Sequence, residues 1–424
     1  MTLACRNGRG DTLVLEGRVL DPALGIDECL RVEVVEGVVA RLEPAAAGRL
    51  LIAPAFVDPH VHLRTPGRED EETIASGTAA AAAGGYCALV AMPNTEPVLD
   101  SADLLRGLLA RAREEALVPT GFMAAISNGQ RGEELTEMAE LADAGAVAFT
   151  DDGRPVASAG LLRRALRYGA LTGRPLALHC EEPALSRGGH LHEGEVSAEL
   201  GVGGAPSLAE SVMVERDLAL ARAEGRPVHL LHLSAKESVE ALRRAQAEGV
   251  PATAEVTPHH LCLTDEACRS LDANLKMNPP LRSAEDRAAL VDALREGVIG
   301  AVATDHAPHA PEEKEAPFEE APFGVTGLET AFAALYTHLV LPGLLPLATL
   351  LERMSAGPAR ALGLPEPRIE VGARANLVVL DLDAEWEVRA EGFRSRSANS
   401  WLLGARLRGR VVRTVADGRE VFAL

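Results

Sequence analysis

Short apolar runs alternate with helical Ala, Leu and Arg patterns through most of the chain. Eight of these runs are strand-like, and they lie at residues 51–56, 87–92, 121–125, 146–150, 175–179, 227–233, 252–256 and 299–304. Such alternation is typical of βα units, in which helices connect parallel strands. Eight units in succession predict an α/β fold of the TIM-barrel type, a closed (β/α)8 barrel.

The two ends of the chain have a different pattern. Strand-like runs separated by Gly or Asp turns lie at residues 12–15, 18–20, 31–39, 375–380, 406–413 and 420–424. A chain of 424 residues is long enough for a large barrel and an accessory domain. We therefore predict that residues 1–53 and 366–424 form a small β-sandwich module, and that residues 54–365 form the barrel.

Charge and composition exclude several classes of partner. The formal net charge is -20, so no basic excess is present to release counterions from a nucleic acid. Neither a signal peptide nor a membrane span is indicated, because no apolar stretch is long enough. The six cysteines form no CxxC pair that would suggest a thiolate zinc site. We expect a cytoplasmic protein with a small-molecule substrate.

Ligand-type side chains stand where the predicted strands end. The sequence DPHVHLR places His60 and His62 two residues apart, a spacing that on a strand directs both imidazoles to one face. Further candidates follow later strands, namely Asp151, Asp152, His179, His232 and Asp305. Because the carboxyl ends of barrel strands meet at one mouth, these residues are expected to become neighbours. Imidazole and carboxylate ligands suit zinc or a similar divalent metal.

These motifs, taken in order, resemble those of the dihydroorotases in the amidohydrolase superfamily. The resemblance extends over the whole chain and is carried by PAFVDPHVHLRTPG, AMPNTEP, AFTDDG, LALHCEE, HLLHLSAKES, EVTPHHL, KMNPPLR and TDHAPHAPEEK. It implies one or two Zn2+ ions per chain. It also implies the reversible conversion of (S)-dihydroorotate to N-carbamoyl-L-aspartate in pyrimidine biosynthesis.

The resemblance also assigns the metal ligands. It implies that His60 and His62 bind one ion together with Asp305, that His179 and His232 bind the other, and that Asp152 bridges them. Many amidohydrolases use a carboxylated lysine as the bridge, but no lysine lies near the fourth strand. Adjacent strand residues face opposite ways, so only one of Asp151 and Asp152 is expected to bind, and the resemblance favours Asp152.

The expected reaction is attack on the ring amide by a hydroxide. A bound divalent ion can lower the pKa of its water from about 15.7 to about 7. Asp305 would take the proton of the attacking water and pass it to the leaving nitrogen. The residual positive charge of such a centre favours an anionic substrate.

The remaining site residues concern the substrate. Arg64 is expected on the same strand face as the two histidines, where its planar fork could bind a carboxylate. The resemblance implies that Arg64, Asn94 and His309 hold the substrate carboxylate. It places Asn278 on the pyrimidine ring, and backbone groups of Phe323 and Gly324 beside it.

Other functions remain open on the sequence alone. A hydantoinase, dihydropyrimidinase or allantoinase would use the same barrel and a similar ligand set, although hydantoinases usually rely on the lysine bridge. An inactive scaffold for aspartate carbamoyltransferase is a second alternative, but such a scaffold is expected to lose metal ligands. We expect a homodimer, with aspartate carbamoyltransferase as a candidate partner.

Overall fold

A computed structural model describes all residues from Met1 to Leu424. The chain ends form one seven-stranded mixed sheet, in which strands from both ends are neighbours. Its strands are Leu13–Asp21, Ile26–Val35, Val38–Pro44, Leu51–Pro54, Leu377–Glu387, Arg406–Ala416 and Arg419–Ala423. The sheet encloses a core of 12 buried residues, separate from the main core of 86. The predicted class, a barrel with a β module built from both termini, is confirmed.

The barrel is assembled from two groups of parallel strands. Its strands are Phe56–Val61, Tyr86–Ala91, Thr120–Phe122, Leu176–Leu178, Val228–Leu230, Ala252–Val256 and Ala301–Val302. Parallel bridges from Phe149 to Ala124 and to Leu176 supply the fourth position, and a bridge between Val61 and His306 closes the ring. The fourth predicted strand is therefore reduced to bridges at one residue.

The other elements surround these sheets. A short pair of strands comprises Leu191–His192 and Gly204–Ala205. The α-helices are Ile74–Gly84, Ala102–Glu115, Met138–Ala144, Ala159–Gly169, Pro183–Ser186, Glu195–Leu200, Ser207–Glu224, Lys236–Ala247, Pro258–Cys262, Ala284–Glu296, Pro311–Lys314, Ala331–Leu335, Leu347–Met354 and Ala356–Leu362. Short 3-10 helices are Asn128–Gln130, Asp265–Ser270, Ala273–Leu275 and Ala390–Gly392, and a π-helix spans Tyr336–Val340. No helix combines the length and the apolar character needed to cross a membrane.

Two predicted strand limits are wrong. The run at 51–56 was assigned to the barrel, but Leu51–Pro54 pairs in the terminal sheet and the first barrel strand begins at Phe56. Both segments are apolar because both are buried, so hydrophobicity does not mark the change of sheet at Ala55. The run at 31–39 is divided by a tight turn, in which Glu36 and Gly37 have φ of 48° and 80°. Two positive φ values are characteristic of a type I′ hairpin turn.

The helix Ile74–Gly84 shows how local sequence defines an element here. Thr73 and Ser76 form a reciprocal capping box at its start, which satisfies amide groups that have no partner within the helix. Gly85 ends it with φ of 92°, a conformation that glycine adopts without steric cost. The second barrel strand then begins directly after this glycine, at Tyr86.

Asp21 joins the two ends of the chain. The residue is fully buried, and its Oδ2 accepts a hydrogen bond of 2.9 Å from the amide of Ile369. Its Oδ1 accepts hydrogen bonds from the amides of Ala23 and Leu24 at 3.0 and 3.3 Å. One carboxylate therefore accepts hydrogen bonds both from the turn that follows it and from a backbone amide nearly 350 residues later in the chain.

Asp21→Ala is expected to lower the free energy of unfolding by about 1–3 kcal/mol, because buried amide groups lose their acceptor. Asp27→Ala is the matched control, since Asp27 is exposed and pairs only with Arg18 at 2.6 Å. Urea denaturation followed by circular dichroism measures both. Equal midpoints for the two variants would contradict this role of Asp21.

Candidate active site

The predicted metal ligands meet at the carboxyl ends of the barrel strands. Their ligand atoms form two overlapping groups, each with all atoms within 4.8 Å of one another. One group comprises His60, His62 and Asp305, and the other comprises His60, Asp152 and His232. The ring of His179 adjoins the second group. Residues distant in sequence are thus brought to one point by the strand ends.

Asp152 and Asp305 face the same pair of imidazoles. His60 Nε2 lies 3.4 Å from Asp305 Oδ1 and 3.6 Å from Asp152 Oδ1. His62 Nε2 lies 3.1 Å from Asp305 Oδ1 and 3.7 Å from Asp152 Oδ2. These nitrogens and oxygens surround one small region at the barrel mouth.

The second pair of histidines approaches Asp152 from another side. His179 Nδ1 lies 3.0 Å from His232 Nε2, and these nitrogens lie 3.8 and 3.5 Å from Asp152 Oδ1. Asp152 is therefore the carboxylate that all four histidines share.

Asp151 serves a different purpose. Its Oδ1 accepts hydrogen bonds from the amides of Ile126 and Ser127 at 2.8 and 3.1 Å, and its Oδ2 accepts from the Ser127 hydroxyl. Burial raises the pKa of Asp151 to about 6, against the opposing effect of the Ser127 hydrogen bond. Asp151 thus holds the loop after the third barrel strand, whereas Asp152 faces the histidines.

Outward contacts determine which ring nitrogen of His60 and His62 faces the cluster. His60 donates from Nδ1 to Glu255 Oε1 at 2.8 Å, and His62 donates from Nδ1 to Asn94 Oδ1 at 3.0 Å. In a neutral imidazole, donation from one nitrogen leaves a lone pair on the other. The Nε2 lone pairs of both rings are therefore directed at the carboxylates.

His179 follows the same pattern with the opposite nitrogen. It donates from Nε2 to Glu181 Oε2 at 2.8 Å, so its Nδ1 is directed into the cluster. Hydrogen bonds from the remote ring nitrogen to a carboxylate or an amide are usual for histidines that bind metals. Three of the four histidines have such an acceptor.

The residues present fit a divalent metal ion. His60 is completely buried, and its Nε2 has no hydrogen-bond partner although Asp152 and Asp305 lie beside it. A buried lone pair that faces carboxylates is unfavourable unless a cation lies between them. Imidazole nitrogen and carboxylate oxygen are also the ligand types that zinc and related metals use.

The pKa values reflect the same concentration of charge. Burial opposes charge on His60, but the adjacent Asp152 and Asp305 raise the pKa of His60 well above its usual value. Burial likewise opposes ionisation of Asp152 and Asp305, but His60 and neighbouring histidines lower the pKa of both carboxyl groups. The two buried carboxylates of the cluster thus stabilise positive charge beside them.

Backbone strain is concentrated at this site. Seven residues other than glycine have positive φ, and three of them are Arg64, His232 and Asp305, at 53°, 32° and 49°. Such conformations cost about 1–3 kcal/mol each and persist only where the surroundings impose them. Their clustering at the strand ends is typical of a functional site.

Glu255 is a residue that sequence reasoning missed. It is completely buried, and besides His60 it accepts a hydrogen bond of 2.9 Å from His229 Nε2. Burial raises the pKa of Glu255, but the hydrogen bonds from His229 and His60 outweigh it and lower the pKa to about 2. The signal was a glutamate within the apolar strand Ala252–Val256, which requires buried partners.

A polar cavity of about 200 Å³ lies beside the histidine cluster. Arg64, Asn94 and His309 line it together with the carboxylates of Glu71, Glu96 and Glu313. Asn94 also reaches the cluster, because its Nδ2 donates to Asp152 Oδ2 at 3.3 Å. The cavity and the cluster are thus contiguous.

Arg64 is not placed as the sequence argument supposed. The first barrel strand ends at Val61, so Arg64 lies beyond it and does not share a strand face with the histidines. Its Nε lies 2.9 Å from Glu71 Oε2 and donates to the Pro308 carbonyl at 3.1 Å. The carboxylate of Glu71 therefore balances the charge of this buried guanidinium. Arg64 nonetheless lines the cavity.

Asn278, Phe323 and Gly324 lie at the edge of the site and do not line this cavity. Asn278 Nδ2 donates to Glu181 Oε2 at 3.0 Å, which connects it to His179. The Phe323 carbonyl oxygen lies 2.8 Å from His309 Nε2. A Cβ on Gly324, which has φ of 112°, would lie 2.6 Å from the Ala307 Cβ.

Asn399 supports the cavity from the C-terminal part of the chain. Its Oδ1 accepts from the His309 amide at 3.1 Å, and its Nδ2 donates to the carbonyls of Ala307 and Gly324 at 3.1 and 3.3 Å. Sequence reasoning missed Asn399, because it lies in a segment assigned to the terminal β module and carries no local motif. One amide therefore secures both sides of the loop that presents His309.

A larger cavity, about 580 Å³, lies elsewhere, between the helix Ala331–Leu335 and the C-terminal strands. Its walls include Trp386 and Phe393 but none of the clustered histidines. The candidate active site is therefore identified by its chemistry and not by its volume.

The barrel and its ligand cluster together define a metal-dependent hydrolase of the amidohydrolase class. Solved structures of that class have the same architecture. L-hydantoinase (dihydropyrimidinase) from Arthrobacter aurescens superposes with a TM-score of 0.86 at 27% identity, covering 97% of this chain and 96% of that one. A D-hydantoinase superposes with a TM-score of 0.81 at 23% identity, covering 96% and 94%.

Sequence comparison identifies the family within that class. A family profile described as "Dihydro-orotase-like" matches residues 48–238. A dihydroorotase of Pelotomaculum thermopropionicum is 44% identical over 421 residues, which cover 97% of this chain and 98% of the relative. A dihydroorotase of Bacillus caldolyticus is 48% identical over 375 residues, 88% of each chain. The chain belongs to the dihydroorotase family of cyclic amidohydrolases.

Glu255→Gln is expected to weaken metal binding by about 10- to 100-fold, the usual effect of losing a partner that orients a metal-binding histidine. His60 and His229 each donate to a different oxygen of Glu255, and glutamine replaces one of these oxygens by an NH2 group, so one of the two histidines loses its acceptor. Competition with a chromophoric chelator measures the affinity. Glu240→Gln, at an exposed position, is the control, and equal affinities in the two variants would refute the role of Glu255.

Proposed function

We propose that this chain is a zinc-dependent dihydroorotase that interconverts (S)-dihydroorotate and N-carbamoyl-L-aspartate. The observation that carries the proposal is the meeting of four histidines and two aspartates beside a cavity lined by Arg64 and Asn94. The family relationship supports the same reaction.

The metal would be held by the six clustered residues. These are His60, His62, Asp152, His179, His232 and Asp305. When bound, a divalent ion lowers the pKa of water toward neutrality and polarises a carbonyl group. The shared position of Asp152 suits a carboxylate between two ions, and no lysine lies nearby to take that place.

Asp305 is the proposed acid–base residue. Burial would raise its pKa, but the charge of His60 and the nearby ring of His62 hold the pKa of Asp305 below its usual value. The carboxylate is therefore ionised and able to accept a proton from water at the cluster. The same group would return that proton to the ring nitrogen when the amide bond breaks.

The substrate carboxylate is proposed to bind in the polar cavity. Arg64 Nη2 lies 3.3 Å from His309 Nε2, so these two groups form one wall. Guanidinium groups suit carboxylates because they donate in a planar fork. Glu71 holds the fork through Nε and His309 lies against Nη2, which leaves Nη1 for a ligand. Asn278, Phe323 and Gly324 would contact the ring from the adjoining edge.

The hydantoinase alternative shares the barrel and its histidines, and the solved neighbours belong to that group. A hydantoinase acts on rings that lack the carboxylate, whereas this cavity contains Arg64. An inactive scaffold is disfavoured because the whole ligand cluster is present.

Three statements about assembly and location stay predictions: that the chain forms a homodimer, that it associates with aspartate carbamoyltransferase, and that it is cytoplasmic. Sedimentation velocity of the chain alone and with that enzyme tests the first two.

His62→Ala and Asp305→Asn are each expected to reduce kcat for dihydroorotate by at least about 10²-fold, since each loses a metal ligand and Asp305→Asn also loses the proton carrier. Removal of metal by dipicolinate should abolish turnover in the wild type, and zinc should restore it. Absorbance of dihydroorotate measures the rate, and circular dichroism checks the fold. Near-normal rates in either variant would contradict the mechanism.

Arg64→Ala is expected to raise KM for dihydroorotate by about ten-fold or more, because a charged hydrogen bond of about 1.5–3 kcal/mol is lost. Arg106→Ala, on an exposed helix face, should leave KM unchanged. Dihydrouracil lacks the carboxylate and should be a poor substrate of the wild type. Efficient turnover of dihydrouracil would favour the hydantoinase alternative.

A further inference from the structure

Two long loops approach each other at the edge of the proposed active site. One follows the helix Pro258–Cys262 and carries Asn278, and the other follows the last barrel strand and carries His309, Phe323 and Gly324. The loops come from different βα units, so their relative position depends on contacts between them. An apolar cluster that includes Met277 and Phe318 lies between them, and the hydrogen bonds between the loops come mainly from lysines.

Lys276, in the first loop, is almost completely buried and reaches into the second loop. Its Nζ donates to the carbonyl oxygens of Glu319 and Ala321 at 3.0 and 2.7 Å. The ammonium group also lies 4.6 Å from the centre of the Phe323 ring. In addition, the Lys276 carbonyl accepts the amide of Gly324 at 2.8 Å.

Lys314, in the second loop, makes the reciprocal contact. Its Nζ donates to the Ala273 carbonyl of the first loop at 3.0 Å and to the Pro322 carbonyl of its own loop at 2.8 Å. Burial lowers the pKa of Lys314 to about 7, with a further contribution from the charge of Lys276. Each lysine thus connects the two loops, in opposite directions.

These lysines differ from nearly all other basic residues of the chain. Only three of the 42 Lys and Arg residues are lysines, and the third, Lys236, forms a surface ion pair with Glu285. Lys276 and Lys314 form no ion pair with a carboxylate within 4.0 Å. Their charge is balanced by carbonyl oxygens and, for Lys276, by aromatic rings. A compact ammonium group with three donors fits between carbonyls where a planar guanidinium does not.

We propose that Lys276 and Lys314 are positioning residues that clamp the two loops together, so that Asn278 on one and His309 and Gly324 on the other face the same substrate. The inference rests on the proposed function for its substrate, and on the lysine contacts for the clamp. Neither lysine touches the clustered metal ligands, so the clamp acts on substrate binding and not on metal binding.

The test compares Lys276→Met, Lys314→Met and the matched control Lys236→Met in the full-length zinc-loaded protein. Because displaced binding groups lose hydrogen bonds to the charged substrate, worth about 1.5–3 kcal/mol each, KM for dihydroorotate should rise about ten-fold or more in the first two variants. Their zinc content should equal that of the wild type, and kcat should change much less than KM. Lys236→Met should behave as the wild type. Unchanged KM in both clamp variants would overturn the proposal.

Hydrogen exchange provides a readout that does not depend on the substrate. Amides of residues 315–324 should exchange faster in Lys276→Met and Lys314→Met than in Lys236→Met, while the barrel strands keep their protection. If Lys276→Met does not fold, Lys314→Met decides, because Lys314 is less completely buried. If the wild type does not turn over dihydroorotate, the proposed function fails. Hydrogen exchange at the amides of residues 315–324 alone then decides whether the two lysines hold the loops together. Equal exchange in all three variants would refute it.

Discussion

The concentration of buried carboxylates and imidazole lone pairs at the barrel mouth, which is favourable only around a cation, is the constraint on which the rest of the site depends. Asp152 lies within 3.8 Å of ring nitrogens of all four histidines. Outside this group of ligands, Glu255, Asn94 and Glu181 accept hydrogen bonds from three of those histidines. The outer acceptors direct lone pairs inward, and the inner carboxylates make the position suitable for a cation. Removing either set leaves buried polar groups unsatisfied.

The barrel supplies the rigidity that such a site requires. Parallel strands deliver their carboxyl ends to one mouth, while the loops that follow them carry the substrate-binding groups. Those loops are secured from outside the barrel as well. Asn399 holds the loop of His309, and Glu72 accepts hydrogen bonds from Ser395 and from the backbone of Arg396. The segment that leads into the last two strands of the terminal sheet therefore also supports the active site.

Sequence periodicity predicted the barrel because alternating strands and helices leave few ways to bury both sheet faces. Its failures have local causes. The break at Ala55 lies within a continuous apolar stretch, so pattern alone could not separate two sheets. Arg64 was assumed to continue a strand, but it lies after the strand end with φ of 53° and pairs with Glu71. Glu255 and Asn399 act through partners at distant positions, so spacing along the chain did not reveal their contacts.

The amino-acid sequence by itself determined the order of βα units, the identity of the ligand-type residues at the strand ends and the family to which the chain belongs. Each of these depends on local spacing or on motifs that neighbouring residues form. Only the tertiary structure decided that Asp152 and not Asp151 faces the histidines, that Glu71 pairs with Arg64, and that two lysines join the loops at the site edge. These outcomes depend on backbone directions at strand ends and on contacts between loops from different units, which spacing along the chain does not specify.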